Sequence, residues 1–180
     1  MDYYKFNYKT PEKFSNIIMS SDGEFLTGLW FEDSRDTLKH NFKYIYKDLV
    51  IFHEVSNWLD TYFKGEEPNF MPKYKINYLT PFRKEVIEII NNIPFGKTIT
   101  YNDIAKKIAK SRKIERISAQ AVGGAVGWNP ICIIIPCHRV VGTNGSLTGY
   151  GGGIKNKVAL LENEKIDMKK FFIPKYGTAL

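Results

Sequence analysis

Cysteine and long apolar segments are both scarce in this sequence, and each shortage restricts what the protein can be. The 180 residues contain two cysteines, Cys132 and Cys137. Two cysteines at this spacing form neither a disulfide framework nor a zinc knuckle, so we expect reduced thiols in a cytoplasmic protein. No apolar stretch reaches the ~20 residues that span a bilayer, and residues 1–5 lack the apolar segment of a signal peptide. We therefore expect no membrane association.

Charge is divided unequally along the chain. Residues 1–76 carry 10 basic and 12 acidic side chains, a net charge of −2, whereas residues 77–180 carry 16 and 7, a net charge of +9. A basic half is expected where a protein binds phosphate. Ordinary lysine-rich solvation gives the same imbalance, so charge alone leaves both explanations open.

The first half, 1–76, is predicted to form a small α/β domain. Two β-rich runs, 14–19 and 25–31, flank the dipeptide Asp22-Gly23, which is a strong hairpin signal. Hydrophobic residues make up 43% of the whole chain, which is enough for a protein of 180 residues to bury a hydrophobic core.

A helix is predicted over 49–63, where apolar residues recur mostly at three- and four-residue spacings. Residues 65–72 then have the composition of a linker. We find no catalytic constellation before residue 77, and we interpret His40 and His53 as surface or packing residues.

Helix-capping signals organise the second half. Pro81 suits a first helical position behind Thr80, and Thr100 with Asp103 forms an approximate capping box for the next helix. A basic connection then leads to a third helix over 118–126. The last two helices with their connecting turn are a helix-turn-helix candidate.

The third of these helices has almost no side-chain bulk. Its residues include Ala119, Ala121, Gly123, Gly124 and Ala125. Each interior glycine costs about 1 kcal/mol relative to alanine. Such a cost suggests that another backbone comes very close, either a packed helix or a nucleic-acid groove. Composition does not choose between them.

A thiol next to an imidazole follows the apolar run 133–135. We predict that this run is a buried strand which Pro136 ends, and that Cys137 beside His138 is a positioned nucleophile. Neighbouring residues of a strand point to opposite faces, so the chain must leave strand geometry at Cys137. The alternative is a buried cysteine that packs as a small hydrophobe.

Several segments occur in an order that is typical of one family. They are 95–101 (FGKTITY), 121–125 (AVGGA), 129–130 (NP), 135–142 (IPCHRVVG), 144–145 (NG), 148–153 (TGYGGG) and the stretch 157–164. Over about 79–165 the chain resembles the O6-alkylguanine-DNA alkyltransferases, the methylated-DNA–protein-cysteine methyltransferases. The resemblance implies an α/β N-terminal domain followed by a mainly α C-terminal domain with a winged-helix-like helix-turn-helix motif and an active-site loop.

The implied reaction transfers an alkyl group from O6 of guanine irreversibly to the protein's own cysteine, Cys137. A free thiol with a pKa near 8.5 is mostly protonated at neutral pH, so a base must take its proton. The resemblance assigns this task to His138, which acts through a water molecule and is oriented by Glu164. We accordingly expect Cys137 to titrate below a free thiol. The alternative for Glu164 is a solvated glutamate at a helix end.

Further site residues follow from the same resemblance. Asn129 matches a hinge between the recognition helix and the nucleophile, and Tyr101 matches a tyrosine that assists nucleotide rotation and donates a proton to the departing guanine. The implied substrate pocket includes Val140, Tyr150 and Gly151, with the Gly151 amide facing O6. Taken singly, each tyrosine would more often be a core residue, and Asn129 would belong to an ordinary turn.

The implied DNA-binding surface is the small-residue helix that enters the minor groove. Its members are Ala119, Gln120, Ala121, Gly123 and Gly124, with Arg112 and Lys113 in the preceding basic segment. The family commonly has arginine where this chain has the uncharged Gln120, and the basic segment with Arg112, Lys113 and Arg116 is a candidate to supply the missing charge. The zinc site of some members is absent because no cysteine precedes Cys132. We interpret Cys132 as a packing residue.

The implied partner is double-stranded DNA that carries O6-alkylguanine, with O4-alkylthymine as a second candidate lesion. The target nucleotide must leave the helix to reach a buried cysteine. We expect a monomer that needs no cofactor and no metal. Three alternatives remain open: a non-transferring alkyltransferase-like DNA-binding protein, a cysteine hydrolase, and a helix-turn-helix regulator.

Overall fold

The N-terminal part is built on a four-stranded sheet. The computed structural model describes residues 2–40 and 42–175. The strands are β1 (Tyr3–Tyr8), β2 (Ile17–Ser21), β3 (Leu26–Phe31) and β4 (Tyr44–Tyr46), in the order β3-β2-β1-β4. The first three pair antiparallel, while β4 runs parallel to β1. The predicted hairpin is confirmed, although β2 begins three residues later than the run that predicted it.

Helix α1 (Val50–Phe63) packs on this sheet, as its periodicity predicted. Phe52 stacks on Phe6 of β1 with ring centroids 5.4 Å apart. Gly65, just beyond the helix, has φ +76°, a left-handed conformation that glycine adopts without strain. Residues 64–73 contain neither helix nor strand, in agreement with the predicted linker composition.

Four more helices form the second half. They are α2 (Pro81–Asn91), α3 (Tyr101–Arg112), α4 (Ala119–Gly127) and α5 (Ile154–Asn163). The Thr80 hydroxyl caps α2, and Thr100 with Asp103 forms the predicted capping box of α3. A short parallel pair, β5 (Ile99–Thr100) and β6 (Val140–Val141), ties the start of α3 to the chain after Cys137. The helical predictions are thus confirmed, because capping and periodicity are local signals.

One hydrophobic core extends through both halves of the chain. The backbone also crosses between them, since Leu29 of β3 donates to Pro130 O at 2.9 Å and accepts from Cys132 N at 2.9 Å. The division of the chain at 76/77 therefore stays a prediction. Among the described residues, no helix is both long and apolar enough to cross a membrane.

The buried strand predicted over 133–135 is wrong. The segment is buried, but it forms successive tight turns. Ile133 has φ +67°, and Ile134 N donates to Cys132 O at 2.8 Å, which is a strained γ-turn for a β-branched residue. Pro136 (φ −79°, ψ 59°) forms an inverse γ-turn that Cys137 N closes on Ile135 O at 2.7 Å. Apolar composition predicted the burial of this segment, whereas its backbone conformation is set by the hydrogen bonds of the turns and by the bond from Asn129 to Ile135 O.

Candidate active site

Cys137 opens a single 3₁₀ turn, Cys137–Arg139, and its side chain is almost completely buried. The Nδ2 group of Asn129 donates to the Cys137 sulfur at 3.1 Å and to Ile135 O at 3.0 Å. A donor aimed at sulfur favours the thiolate over the thiol. The structure thus brings Asn129 and Cys137 together, as the sequence predicted.

Asn129 is itself fixed by the end of helix α4. Its backbone N–H donates to Val126 O at 3.2 Å, and its side-chain Oδ1 accepts from Ile131 N at 3.0 Å. Asn129 therefore links the end of α4 directly to the sulfur of Cys137. This connection is the geometry expected of a hinge.

His138 and Glu164 form a fully buried pair. The imidazole Nε2 lies 2.6 Å from the carboxylate Oε1. Because a carboxylate accepts and cannot donate, Nε2 carries the hydrogen and Nδ1 carries the lone pair. Nδ1 is buried and has no hydrogen-bond partner among the described residues. This nitrogen is the free proton acceptor of the site.

Glu164 is held by donors from several segments. Arg139 Nε donates to its two oxygens at 3.1 and 2.9 Å, and the Gly96 amide donates to Oε2 at 3.0 Å. Burial by itself would raise the pKa of Glu164, but the hydrogen bonds from His138 and Arg139 outweigh it and lower that pKa to about 2. Glu164 is therefore a buried carboxylate. It is not a solvated glutamate at a helix end, and Arg139 is its ion-pair partner.

The thiol and the imidazole are both neutral in the resting protein. Burial raises the pKa of the Cys137 thiol, and the Asn129 hydrogen bond offsets this only in part. Burial likewise lowers the pKa of His138, despite the opposing influence of Glu164. The prediction that Cys137 titrates below a free thiol is thus wrong, because desolvation acts against the charged form. A neutral imidazole is nevertheless the form that can accept a proton.

Tyr62 contacts both members of the His138–Glu164 pair, and sequence reasoning missed it. Its hydroxyl donates to Glu164 Oε1 at 2.8 Å and lies 3.2 Å from His138 Nε2. Tyr62 is on the apolar face of α1, where an aromatic residue is indistinguishable from any other core position. Asn163 also donates to the Tyr62 carbonyl at 2.7 Å, which joins α1 to the end of α5.

The predicted pocket residues lie near Cys137 with differing degrees of exposure. Tyr150 is buried, and its hydroxyl lies within hydrogen-bonding reach of the Cys132 thiol. Tyr101 is half-buried and donates to Thr148 O at 3.2 Å. Val140 O already accepts from the fully buried Lys157 at 2.7 Å. Burial lowers the pKa of Lys157 to about 8. Lys157 is a second residue that sequence reasoning missed.

Helix α4 presents its small residues to solvent. Ala119, Gln120, Ala121 and Gly124 are exposed. A Cβ added at Gly124 would meet nothing within 4 Å, and one at Gly123 would meet only the Tyr101 ring at 3.9 Å. Close packing within the protein therefore does not explain the two glycines, and this face of α4 is open to an external partner.

The two basic residues predicted to bind DNA are in different situations. Arg112 forms a bidentate ion pair with Glu85 of α2, with Nε and Nη2 contacts at 3.1 and 2.9 Å. Lys113 is exposed and ends α3 in a left-handed conformation with φ 55°. The charge of Lys113 is thus accessible to an external partner, whereas the charge of Arg112 is compensated by Glu85.

The scaffold and the site together define a class: a protein with an internal cysteine nucleophile and an adjoining small-residue recognition helix. Residues 81–166 match the family model described as 6-O-methylguanine DNA methyltransferase, DNA binding domain. A methylated-DNA–protein-cysteine methyltransferase from Methanosarcina mazei is 40% identical over 154 residues, which cover 85% of this chain and 92% of that protein. One from Haemophilus influenzae is 36% identical over 157 residues, covering 87% and 84%.

Solved structures give the same result. The crystal structure of Mycobacterium tuberculosis OGT in complex with DNA superposes with a TM-score of 0.73 at 33% identity, covering 95% of each chain. An O6-methylguanine DNA methyltransferase from Methanococcus jannaschii superposes with a TM-score of 0.61 at 30% identity, covering 96% of this chain and 100% of that one. This chain belongs to the methylated-DNA–protein-cysteine methyltransferase family.

Proposed function

We propose that this protein is a direct-reversal DNA repair enzyme that moves an alkyl group from O6 of guanine to the sulfur of Cys137, once per molecule. The observation that carries the proposal is the presence of two buried hydrogen-bonded pairs, Asn129 with Cys137 and His138 with Glu164, in a chain that belongs to this family. The alkylated sulfur is a thioether, which nothing in the site can cleave. The protein is consumed by its own reaction.

The transfer begins with a proton. The Cys137 thiol loses its proton towards His138 Nδ1, the unpartnered nitrogen, through a bridging water as the family resemblance implies. Glu164 stabilises the imidazolium that results, since it already accepts the Nε2 hydrogen. The Asn129 amide stabilises the thiolate. Burial disfavours the thiolate and the imidazolium when each is charged alone. Because the two opposite charges form together, their attraction offsets the cost of burial.

The thiolate then attacks the alkyl carbon. A sulfur–carbon bond forms, the carbon–O6 bond breaks, and the electron pair remains on guanine. The guanine takes up one proton, and we assign its delivery to Tyr101 at the start of α3. The proton that His138 received from Cys137 then returns through solvent to Tyr101, so that both residues end neutral. Tyr101 is half-buried and hydrogen-bonds to Thr148 O, within the segment that also contains Tyr150 and Gly151.

Base flipping is required because Cys137 is buried and a stacked guanine cannot reach it. We assign insertion into the minor groove to α4, whose exposed face consists of small residues. That groove is only about 6 Å wide, so a bulky helix face would not fit. We assign the gap that the nucleotide leaves to Gln120, which is exposed in the first turn of α4.

The proposal is tested by weighing the protein after incubation with duplex DNA that contains O6-methylguanine. We expect one methyl group per protein, mapped to Cys137, and no turnover beyond that. Cys137→Ser should abolish transfer, whereas the matched variant Cys132→Ser, at the other buried cysteine, should still be methylated. Several turnovers per protein, or transfer in Cys137→Ser, would refute the proposal.

DNA affinity provides a second test. Phosphate contacts release counterions, so binding to undamaged duplex should weaken steeply as salt increases. Lys113→Gln should lower the slope of log K against log salt by about one. Arg112→Gln should change that slope less, because Glu85 already pairs with this guanidinium. Equal effects of the two variants, or salt-independent binding, would contradict the proposed interface.

We also propose that the protein acts as a monomer in the cytoplasm and accepts O4-alkylthymine as a second lesion. Two reduced, buried cysteines support the reducing compartment. Light scattering of the free protein should give the mass of one chain, close to 20.8 kDa. Incubation with duplex that contains O4-methylthymine should add one methyl group to Cys137, and the absence of that mass change would limit the substrate to guanine.

A further inference from the structure

A buried ion pair from the N-terminal half contacts two residues assigned to the site, Asn129 and Gly151. Asp36 and Lys39 belong to the 3₁₀ turn Arg35–Lys39, which follows β3, and their side chains form an ion pair. Asp36 is 5% exposed. Burial of a carboxylate costs desolvation free energy, which an ion-pair partner such as Lys39 offsets.

One end of this pair reaches the hinge. Lys39 Nζ donates to Asn129 O at 3.3 Å, and Asn129 is the residue whose amide donates to the Cys137 sulfur. The pair also acts on the sulfur electrostatically. Burial is the main cause that raises the pKa of Cys137, Asp36 raises it further, and Lys39 opposes it.

The other end contacts Gly151, which the family resemblance assigns to the wall of the substrate pocket. A Cβ built on Gly151 would overlap the Asp36 carboxylate, with the carboxylate carbon only 2.8 Å away. Gly151 does not have a positive φ, so its backbone would accept any residue. The glycine at this position is therefore required by the space that Asp36 occupies and not by the backbone conformation.

The neighbouring residues show that this wall is docked on the N-terminal half. A Cβ at Gly152 would lie 2.9 Å from the Phe31 ring of β3. Farther along, Asn156 Oδ1 accepts from Ser15 N at 3.1 Å. The position of the Gly151 wall is thus set by contacts with residues that lie more than a hundred positions earlier in the chain.

We propose that the Asp36–Lys39 ion pair is a positioning device that fixes the hinge at Asn129 and the wall at Gly151 on the two sides of Cys137. Its effect on alkyl transfer rests on the proposed function. The pair does not touch the reacting atoms. It determines how far apart the two walls stand, and therefore how the reacting carbon is aligned with the sulfur.

A mutant cycle between positions 36 and 151 tests this. In single-turnover transfer from O6-methylguanine duplex, Gly151→Ala should lower the limiting rate by about tenfold to a hundredfold, the effect of displacing a group by about 1 Å. Asp36→Gly should lower that rate by a smaller factor. The double variant should react as fast as Asp36→Gly alone, because the added methyl then occupies vacated space.

Two readouts separate positioning from a folding defect. A misplaced wall lowers the limiting rate while every molecule still reacts and the half-saturating DNA concentration is unchanged, whereas misfolding lowers the fraction that reacts. Asp33→Ala is the matched control, since it removes an exposed carboxylate just before the same 3₁₀ turn. It should retain the rate of the original protein.

Thermal unfolding of the same proteins distinguishes this inference from the proposed function. Gly151→Ala should lower the melting temperature when Asp36 is present and much less in the Asp36→Gly background, whether or not the chain transfers alkyl groups. Failure of Gly151→Ala to fold, with the double variant folded, supports the inference equally. Equal penalties of Gly151→Ala in both backgrounds, in rate and in stability, would overturn it.

Discussion

His138 Nε2 and Glu164 Oε1 lie 2.6 Å apart in a completely buried environment, although 26 positions separate them in the chain. The contact fixes the tautomer of the imidazole, because Nε2 is the nitrogen that faces the carboxylate and must therefore carry the hydrogen. It therefore leaves the lone pair on Nδ1. Glu164, which directly follows α5, thus determines which nitrogen of His138 is free to accept a proton in the proposed reaction.

Replacement of Glu164 should therefore impair chemistry more than DNA binding. We expect Glu164→Gln to slow transfer by about a hundredfold to ten-thousandfold, the range of general-base effects. Loss of the charge beside Arg139 should also cost about 3–5 kcal/mol of stability. Single-turnover kinetics and denaturant titration measure the two effects. The exposed neighbour Glu162→Gln is the control, and an unchanged rate in Glu164→Gln would remove Glu164 from the mechanism.

Tyr62→Phe removes one donor from the same carboxylate. The variant should be less stable by about 1–3 kcal/mol, because Glu164 Oε1 loses a buried hydrogen bond. Transfer should slow by a smaller factor than in Glu164→Gln, since His138 and Arg139 still hold Glu164. Tyr8→Phe, which removes an exposed hydroxyl that donates to Asp60, should change neither quantity appreciably. Identical results for the two variants would argue against a role for Tyr62.

Stability should fall as the solution becomes acidic, and His40 should contribute a defined part of the slope. Burial lowers the pKa of His40 to about 3 from its ordinary 6.5. The unfolded chain therefore binds one more proton between these values, and the free energy of unfolding should decrease by about 1.4 kcal/mol per pH unit as pH falls through the window. Below 4.5, Glu164 adds a further loss in the same direction, because its folded pKa is about 2.

Denaturant titration of His40→Gln at several pH values checks this slope. The variant loses the stacking of His40 on Trp30, whose rings are 3.8 Å apart, so it should be less stable at neutral pH. Its stability should nevertheless depend less on pH between 6.5 and 4.5. His53→Gln, at the exposed histidine of α1, is the control for loss of an imidazole. A slope in His40→Gln equal to that of the original protein would show that His40 does not titrate as inferred.

Gln120 lies exposed in the first turn of α4, where the family commonly has arginine. If it fills the gap left by the flipped nucleotide, Gln120→Arg should raise the transfer rate or the lesion affinity by adding a phosphate contact. Gln120→Ala should lower them by removing the only bulk on this face. Single-turnover kinetics on methylated duplex decide the matter: equal rates in all three proteins would mean that Gln120 is not the inserted residue.

Local signals predicted the secondary structure well. The caps at Thr80 and Thr100, and the Asp22-Gly23 turn, depend on hydrogen bonds that reach only two or three residues. The family motifs likewise named residues that the structure brings together, since Asn129 contacts Cys137 and His138 contacts Glu164, while the role of Cys137 as nucleophile stays a prediction. The strand expected over 133–135 was wrong, because an apolar run indicates burial but does not specify the backbone conformation.

The sequence by itself determined the helices, the hairpin, the basic second half and the Cys137–His138 nucleophile motif, since each depends on neighbours in the chain or on composition. Only the tertiary structure decided that Tyr62 contacts Glu164, that Arg112 is paired with Glu85, and that Asp36 occupies the space beside Gly151. It also decided the direction in which the pKa of Cys137 moves. These properties arise from burial and from contacts between distant segments, and neither is encoded in the spacing of residues along the chain.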